Sequence, residues 1–195
     1  MKTRLIIVFA VITALALNCS AQNPEKKFGF ELSTGASLPT SKLNGTSLKT
    51  GLGFEGILHY RFMPYTGIFA GWGWNHFAAD ETFADNHSDF EETGYVLGLQ
   101  FKHPAGHSPF SYYLRAAGLY NHIEIENKEG DILKDSGHGF GWQLAGGIDM
   151  NLGRNWSLTP GIKFQSLNRE IEIESVSTSL NLNYLTFRVG ILKQF

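Results

Sequence analysis

From residue 27 to the end of the chain, apolar side chains recur at every second position, the period of a strand with two unlike faces. Eight such runs are predicted, at 27–38, 50–63, 66–78, 90–103, 110–126, 137–152, 156–170 and 178–195. Their connections alternate in kind. "PTSKLNGTSLK", "AADETFADNHSDF", "NKEGDILKDS" and "EIESVST" are polar and loop-like, whereas "MPYT", "HPAGHSP" and "GRN" are shorter or rich in Pro and Gly, as tight turns are. Four wide loops and three turns suit an up-and-down barrel with both termini at one end. Its eighth strand would lie beside the first, leaving no edge exposed.

The two faces of each run differ consistently. In the sixth run Phe140, Trp142, Leu144, Ile148, Met150 and Leu152 share one side, against Gly139, Gly141, Gln143, Gly147 and Asp149 on the other. The third run sets Ile68, Ala70, Trp72 and Trp74 against Gly67, Gly71, Gly73 and Asn75. The second opposes Leu52, Phe54, Leu58 and Tyr60 to Gly53, Glu55, His59 and Arg61. A soluble barrel lines its inside with apolar groups. Here the glycine-and-charge face suits a narrow interior with room for its own side chains and little else. The bulky apolar face must then look outward, which is stable only in lipid. Closure pairs every backbone polar group, as hydrocarbon requires. The predicted fold class is an all-β, eight-stranded antiparallel up-and-down transmembrane β-barrel.

Aromatic residues fall toward the strand ends, where rings sit well between hydrocarbon and headgroups. Phe28, Tyr60, Phe62, Phe101, Phe110, Tyr112, Trp156 and Phe195 are expected at the rim beside the termini, and Phe54, Trp74, Tyr95, Tyr120 and Tyr184 at the opposite rim. Two places break the pattern. Pro160 has no N–H for a ladder and predicts a bulge or a strand boundary. In the eighth run the apolar phase shifts between Leu182 and Leu185, which places "LNLNY" at or above the outer rim.

The first residues carry Lys2 and Arg4, an apolar run "LIIVFAVITALAL" and then "NCSAQ". This is the form of a secretory signal peptide over 1–21, with the barrel domain over 22–195. The apolar run is about 13 residues, short of the roughly 20 that span a bilayer as a helix. Cys19 is the single cysteine, so a chain cut after Ala21 has no disulfide, thiol catalyst or cysteine-based metal site. Without Lys2 and Arg4 there are 14 basic against 18 acidic residues, a mild acidity that argues against nucleic acid as a partner. All 22 glycines lie after the signal.

The signal peptide, the eight-fold pattern and the ending "YLTFRVGILKQF" together resemble the eight-stranded Gram-negative outer-membrane barrels. The likeness is to the OmpA/OmpX-like group of outer membrane beta-barrel domain proteins, over roughly residues 22–195. In that family an alternating terminal strand ending in Phe resembles the signal read by the barrel-insertion machinery. The resemblance thus implies that Leu185, Phe187, Val189 and Ile191 face lipid and that Phe195 is the terminal aromatic of that signal. It further implies a monomer in the cell outer membrane with periplasmic termini, surrounded by membrane lipid and lipopolysaccharide.

By parity the interior should hold the acids Glu31, Glu55 and Asp149 and the bases Arg61, Lys102, Arg115, Lys163 and Arg188, with His59, Gln100, Gln143 and Gln165 among them. Charges of both signs in a confined space pair, because an unpaired buried charge costs several kcal/mol. A structural plug is the leading expectation; a narrow ion path formed by partner exchange is the alternative. In the second loop Asp80, Glu81, Asp85, Asp89, Glu91 and Glu92 surround His87. They could hold divalent cations but lack the ordered spacing of a calcium loop. "EIENKEGD" and "REIEIES" suggest hairpins that continue past the membrane.

Catalysis needs a nucleophile, a base and an orienting group that converge. The adjacent pairs His87–Ser88 and His107–Ser108 are the only suggestive material, in an acidic loop and a turn. His103 and His107 do not share a helix face, because "HPAGH" is no helix. No catalytic residue, cofactor or metal ligand is therefore assigned. The expected function is a non-enzymatic outer-membrane barrel with a plugged lumen and extracellular loops. The alternatives are a narrow porin-like channel for small or hydrophobic solutes and, behind it, a lipid A-modifying enzyme.

Overall fold

The computed structural model describes residues 26–43, 47–79, 89–127, 131–173 and 176–195, with only the backbone described over 171–178. The predicted signal peptide lies outside the described residues. Among the described residues ten strands run in chain order: β1 (Phe28–Pro39), β2 (Gly51–Arg61), β3 (Thr66–Ala78), β4 (Asp89–Pro104), β5 (Phe110–Glu126), β6 (Ile132–Asp135), β7 (Gly139–Gly153), β8 (Trp156–Leu158), β9 (Gly161–Ile173) and β10 (Val176–Gln194). All neighbours are antiparallel. β8 and β9 form one arm, and β6 is a short extension beside β5 above β7, so eight staves close the wall. The seam joins β1 to β10 from Gly29–Gln194 to Pro39–Tyr184. At its end the Phe28 and Phe195 backbones exchange hydrogen bonds of 3.3 and 3.0 Å.

The turns at the terminal end are short, as at Arg154–Asn155, where both residues have positive φ. At the other end the hairpins are longer. β9 and β10 pair as far as Ile173–Val176, so the expected fourth loop is mostly a continuation of the sheet. Pro160 makes no bulge but does mark the expected strand boundary, between the end of β8 at Leu158 and the start of β9 at Gly161. The β7 register on either side is the same, from Met150–Leu158 to Gly147–Gly161. Pro160 accepts from the Ile148 N–H at 3.0 Å, and its neighbour Thr159 pairs with Gly190. The ladder loses one donor and continues, a loss Pro imposes wherever it sits in a sheet.

The predicted faces are observed. Phe140 is 82% and Leu97 65% exposed, while Gln143 is 1% exposed. All eight aromatics expected at the terminal rim point outward. From Phe110 to Tyr120 the outward side of β5 is apolar; at about 3.4 Å per residue and a tilt near 40° that spans about 25 Å, the height of a lipid-facing band.

Above that band the two environments exchange sides although the pleat is unbroken. On β5 the outward positions become His122, Glu124 and Glu126, and the inward ones Ile123 and Ile125, both buried. β10 does the same, with Asn181 and Asn183 out and Leu180, Leu182 and Tyr184 in. The phase shift in "LNLNY" is therefore a change of surroundings. Tyr184 is corrected from rim aromatic to interior residue. Phe77, Phe90, Ile123, Ile125, Leu180 and Leu182 form an apolar cap in the upper lumen, and Leu43 of the first loop tucks into it. The interior is thus polar in its lower part and apolar above.

Candidate functional site: the lumen and its outer rim

The polar lumen is built around one carboxylate. Glu31 of β1 is fully buried and accepts hydrogen bonds from Arg115 Nη2 at 2.5 Å and Nη1 at 3.4 Å. Arg188 Nη2 donates to Oε1, Thr159 Oγ1 donates to the same oxygen at 3.2 Å, and His59 Nε2 lies 3.2 Å from Oε2. Five different strands or their flanks thus meet at one carboxylate. The ends of a barrel wall are distant in sequence, and only closure brings Arg188 to Glu31.

A second cluster adjoins the first. Lys163 Nζ donates to Glu55 Oε2 at 2.8 Å, and Arg188 Nη1 stands 3.7 Å from Glu55 Oε1. Arg188 therefore bridges the two carboxylates. Arg115 gains three further supports: Gln100 Oε1 at 2.7 Å, the Tyr113 ring at 4.5 Å and the Phe69 ring at 5.6 Å. Each favours a guanidinium, which is planar and stacks on rings.

Lys102 and Asp149 form a separate pair at 2.5 Å nearer the terminal mouth. Arg61 also faces inward, at the terminal mouth, where it donates to the main-chain carbonyls of Lys26 at 3.2 Å and Pro64 at 3.5 Å. The end of β2 carries it past the level of the carboxylates. A vestibule of about 500 Å³, lined by Lys27, His59, Arg61, Gln100, Lys102 and Gln194 among others, occupies that mouth and ends below the Glu31 cluster.

Glycine makes the crowding possible. A Cβ on Gly190 would lie 2.6 Å from Thr159 Oγ1 and 2.9 Å from Glu31 Oε1, closer than carbon and oxygen approach. The missing side chain leaves the space that the Glu31 carboxylate and the Thr159 hydroxyl occupy.

A further polar layer separates the charges from the apolar cap. Glu92 Oε2 accepts from Tyr184 Oη and Asn75 Nδ2, both at 2.8 Å, and Asn121 donates to Oε1. Ser37 bridges Asn75 at 3.1 Å and Thr186 at 2.9 Å. Arg169 caps carbonyls of Asn121, Gly139 and Phe140 at 2.5–3.0 Å. The predicted runs 90–103 and 156–170 already contain Glu92 and Arg169, but the sequence reading counted both with the adjoining loop segments and left them out of the interior set.

The outer rim has its own chemistry. Trp74 Nε1 donates to Glu91 Oε2 at 2.8 Å, and His76 Nε2 lies 3.3 Å from Asp89 Oδ2. His122 and His138 stack at 4.4 Å. Asp80, Glu81, Asp85 and the His87–Ser88 pair lie outside the described residues. In the turn at the terminal end, Ser108 Oγ donates to the Ala105 carbonyl at 2.7 Å and accepts from the Phe110 N–H at 3.3 Å. That hydroxyl holds a turn together. His103 stacks among Tyr65, Phe101 and Tyr112.

A closed antiparallel wall with an apolar outer band and a paired ionic interior defines a membrane-spanning β-barrel. Residues 7–195 match the outer membrane protein beta-barrel domain family; the chain belongs to that family and is an outer-membrane protein. Among solved structures it is similar to Neisserial surface protein A, at TM-score 0.63 and 14% identity over 86% of this chain and 97% of that one. It is also similar to OprG of Pseudomonas aeruginosa, at TM-score 0.58 and 15% identity over 88% and 97%. A third is Escherichia coli outer membrane protein W, at TM-score 0.55 and 14% identity over 89% and 100%. Such identities establish the shared fold. No curated protein matches the chain.

Proposed function

We propose that this barrel is a non-enzymatic outer-membrane anchor that holds surface loops on a rigid, plugged stem. The observation that carries this reading is a double block of the lumen. The Glu31–Glu55–Arg115–Arg188–Lys163 network crosses the lower interior, and the apolar cap fills the upper one. An ion would have to break paired buried charges and then enter a dry apolar plug, and each step costs several kcal/mol.

The termini belong in the periplasm on this reading. Short turns lie at the terminal end and longer hairpins at the other, the asymmetry usual for such barrels. Residues 1–21 serve as the export signal and are removed. Leu185, Phe187, Val189, Ile191 and Phe195 meet the insertion machinery, and lipopolysaccharide surrounds the outer rim. The finer kinship with OmpA/OmpX-like members rests on that terminal strand and is part of the proposal.

Planar-bilayer recording of the purified full barrel tests the plug. Electrical silence is expected. Steady conductance that disappears in Arg188→Ala or Glu55→Ala would overturn it in favour of a channel. Lipid A mass analysis with and without the protein tests the absence of enzymatic action; an altered acyl pattern would refute it.

A further inference from the structure

Above the aromatic rim, β5 turns His122, Glu124 and Glu126 outward, and β6 returns beside it with Glu124 opposite Asp135. That register gathers three metal-ligating atoms. His122 Nδ1 lies 3.1 Å from Asp135 Oδ1 and 3.6 Å from Glu124 Oε1, and the three ligand atoms all lie within 4.8 Å of one another. Around a tetrahedral ion with bonds of about 2.0–2.2 Å, neighbouring donors stand roughly 3.3–3.6 Å apart. These two separations bracket that edge and the third is at most 4.8 Å, so an ion would draw the three donors together by side-chain adjustment.

The donors are also held. The His138 ring stacks on His122 at 4.4 Å and 16°, and Tyr120 backs His138 at 5.2 Å. The Gly137 N–H donates to Asp135 Oδ1 at 2.8 Å. Contacts of this kind orient metal ligands and are half of what makes a site. His122 and Glu124 side chains are only 14% and 19% exposed, and Asp135 is 47% exposed, so the group opens on one side.

The surroundings call for positive charge. Glu91 and Glu126 place their carboxylates within 4.8 Å of Glu124, and Asp89 stands on the adjoining strand beside His76.

We propose that His122, Glu124 and Asp135 form a binding site for a divalent transition metal of the zinc class on the outer rim, with the fourth position open to water. One imidazole nitrogen with two carboxylates suits zinc; calcium and magnesium take oxygen alone and more ligands. The site is independent of the lumen, since these side chains leave the opposite face of the wall. A bound ion ties β6 to β5.

Isothermal titration of the untagged, folded barrel in detergent micelles with zinc chloride tests this. Saturable binding of one ion at micromolar concentration is expected. His122→Ala and Asp135→Asn should each bind at least tenfold more weakly, while His107→Ala, in the turn at the opposite end, should bind as the parent does. Gel migration confirms that each variant is folded. Three outcomes would overturn the proposal: no saturable zinc binding by the parent, undiminished binding by His122→Ala, or equal affinity for calcium or magnesium.

Discussion

Removing the carboxylate at Glu31 leaves two buried guanidiniums with one partner fewer each. In Glu31→Ala, Arg188 keeps only Glu55, at 3.7 Å. Arg115 keeps Gln100 at 2.7 Å and the Tyr113 and Phe69 rings. Hydrogen bonds to a charged group are worth about 1.5–3 kcal/mol each, but losses within one cluster do not add. Breaking a buried pair from one side costs about 3–5 kcal/mol in all. The expected loss is therefore about 4 kcal/mol, roughly a thousandfold in the unfolding equilibrium. Glu31→Gln keeps an acceptor and should lose about half as much. Equilibrium denaturant unfolding in lipid vesicles, followed by tryptophan emission and by gel migration, reads both. Adding Arg188→Ala to Glu31→Ala should recover at least about 1 kcal/mol relative to the sum of the single losses, as coupled sites do. A loss below about 1 kcal/mol for Glu31→Ala, the level of an exposed pair, would refute the central role of this carboxylate.

Gly190→Ala should cost about 1–3 kcal/mol by overpacking against Glu31 and Thr159, whereas Gly118→Ala, whose added methyl would meet nothing within 4 Å, should be neutral in the same unfolding assay. Leu97→Arg, in the middle of the lipid-facing band, should cost about 2–4 kcal/mol in vesicles, and Asn168→Arg, above it, close to nothing. Ile123→Ala should cost about 2–5 kcal/mol and quicken proteolysis of the outer hairpins; unchanged proteolysis would mean the apolar cap does not support them. Burial works to raise the Asp135 carboxyl, but the Gly137 N–H and the His122 ring outweigh it and hold the group below its ordinary value. A lowered folded value means that the contribution is present above the unfolded value and fades as pH falls through the folded one. The β5–β6 arm should therefore exchange its amides faster below about pH 4, and Asp135→Asn should abolish that dependence.

Strand limits were readable because alternation with period two runs nearly the full length of each stave. The interior charges were readable for the same reason: Glu31, Glu55, Arg115, Asp149, Lys163 and Arg188 all occupy the parity assigned to them. Arg61 kept its parity as well and stands at the terminal mouth, since alternation fixes a face and says nothing of height. Tyr184 was misread as a rim aromatic through the assumption that lipid lies outside along the whole strand, whereas "LNLNY" does lie above the rim as its phase shift suggested. The pleat kept its phase; water replaced lipid outside and a dry core replaced the ionic one inside. The His122–Glu124–Asp135 group could not be seen in sequence, because the meeting of β5 and β6 depends on a register that shifts between Ile125 and Glu126.

The exchange of faces along β5 and β10 gives the barrel a waterline. A slide of two residues toward the terminal end would draw His122 and Glu124 into hydrocarbon, and the opposite slide would lift Tyr95 and Tyr120 out of it. The molecule is thus ballasted at one depth. A bilayer thicker than the apolar band must thin locally around this protein, at fractions of a kcal/mol per Å, because the wall has no way to float higher.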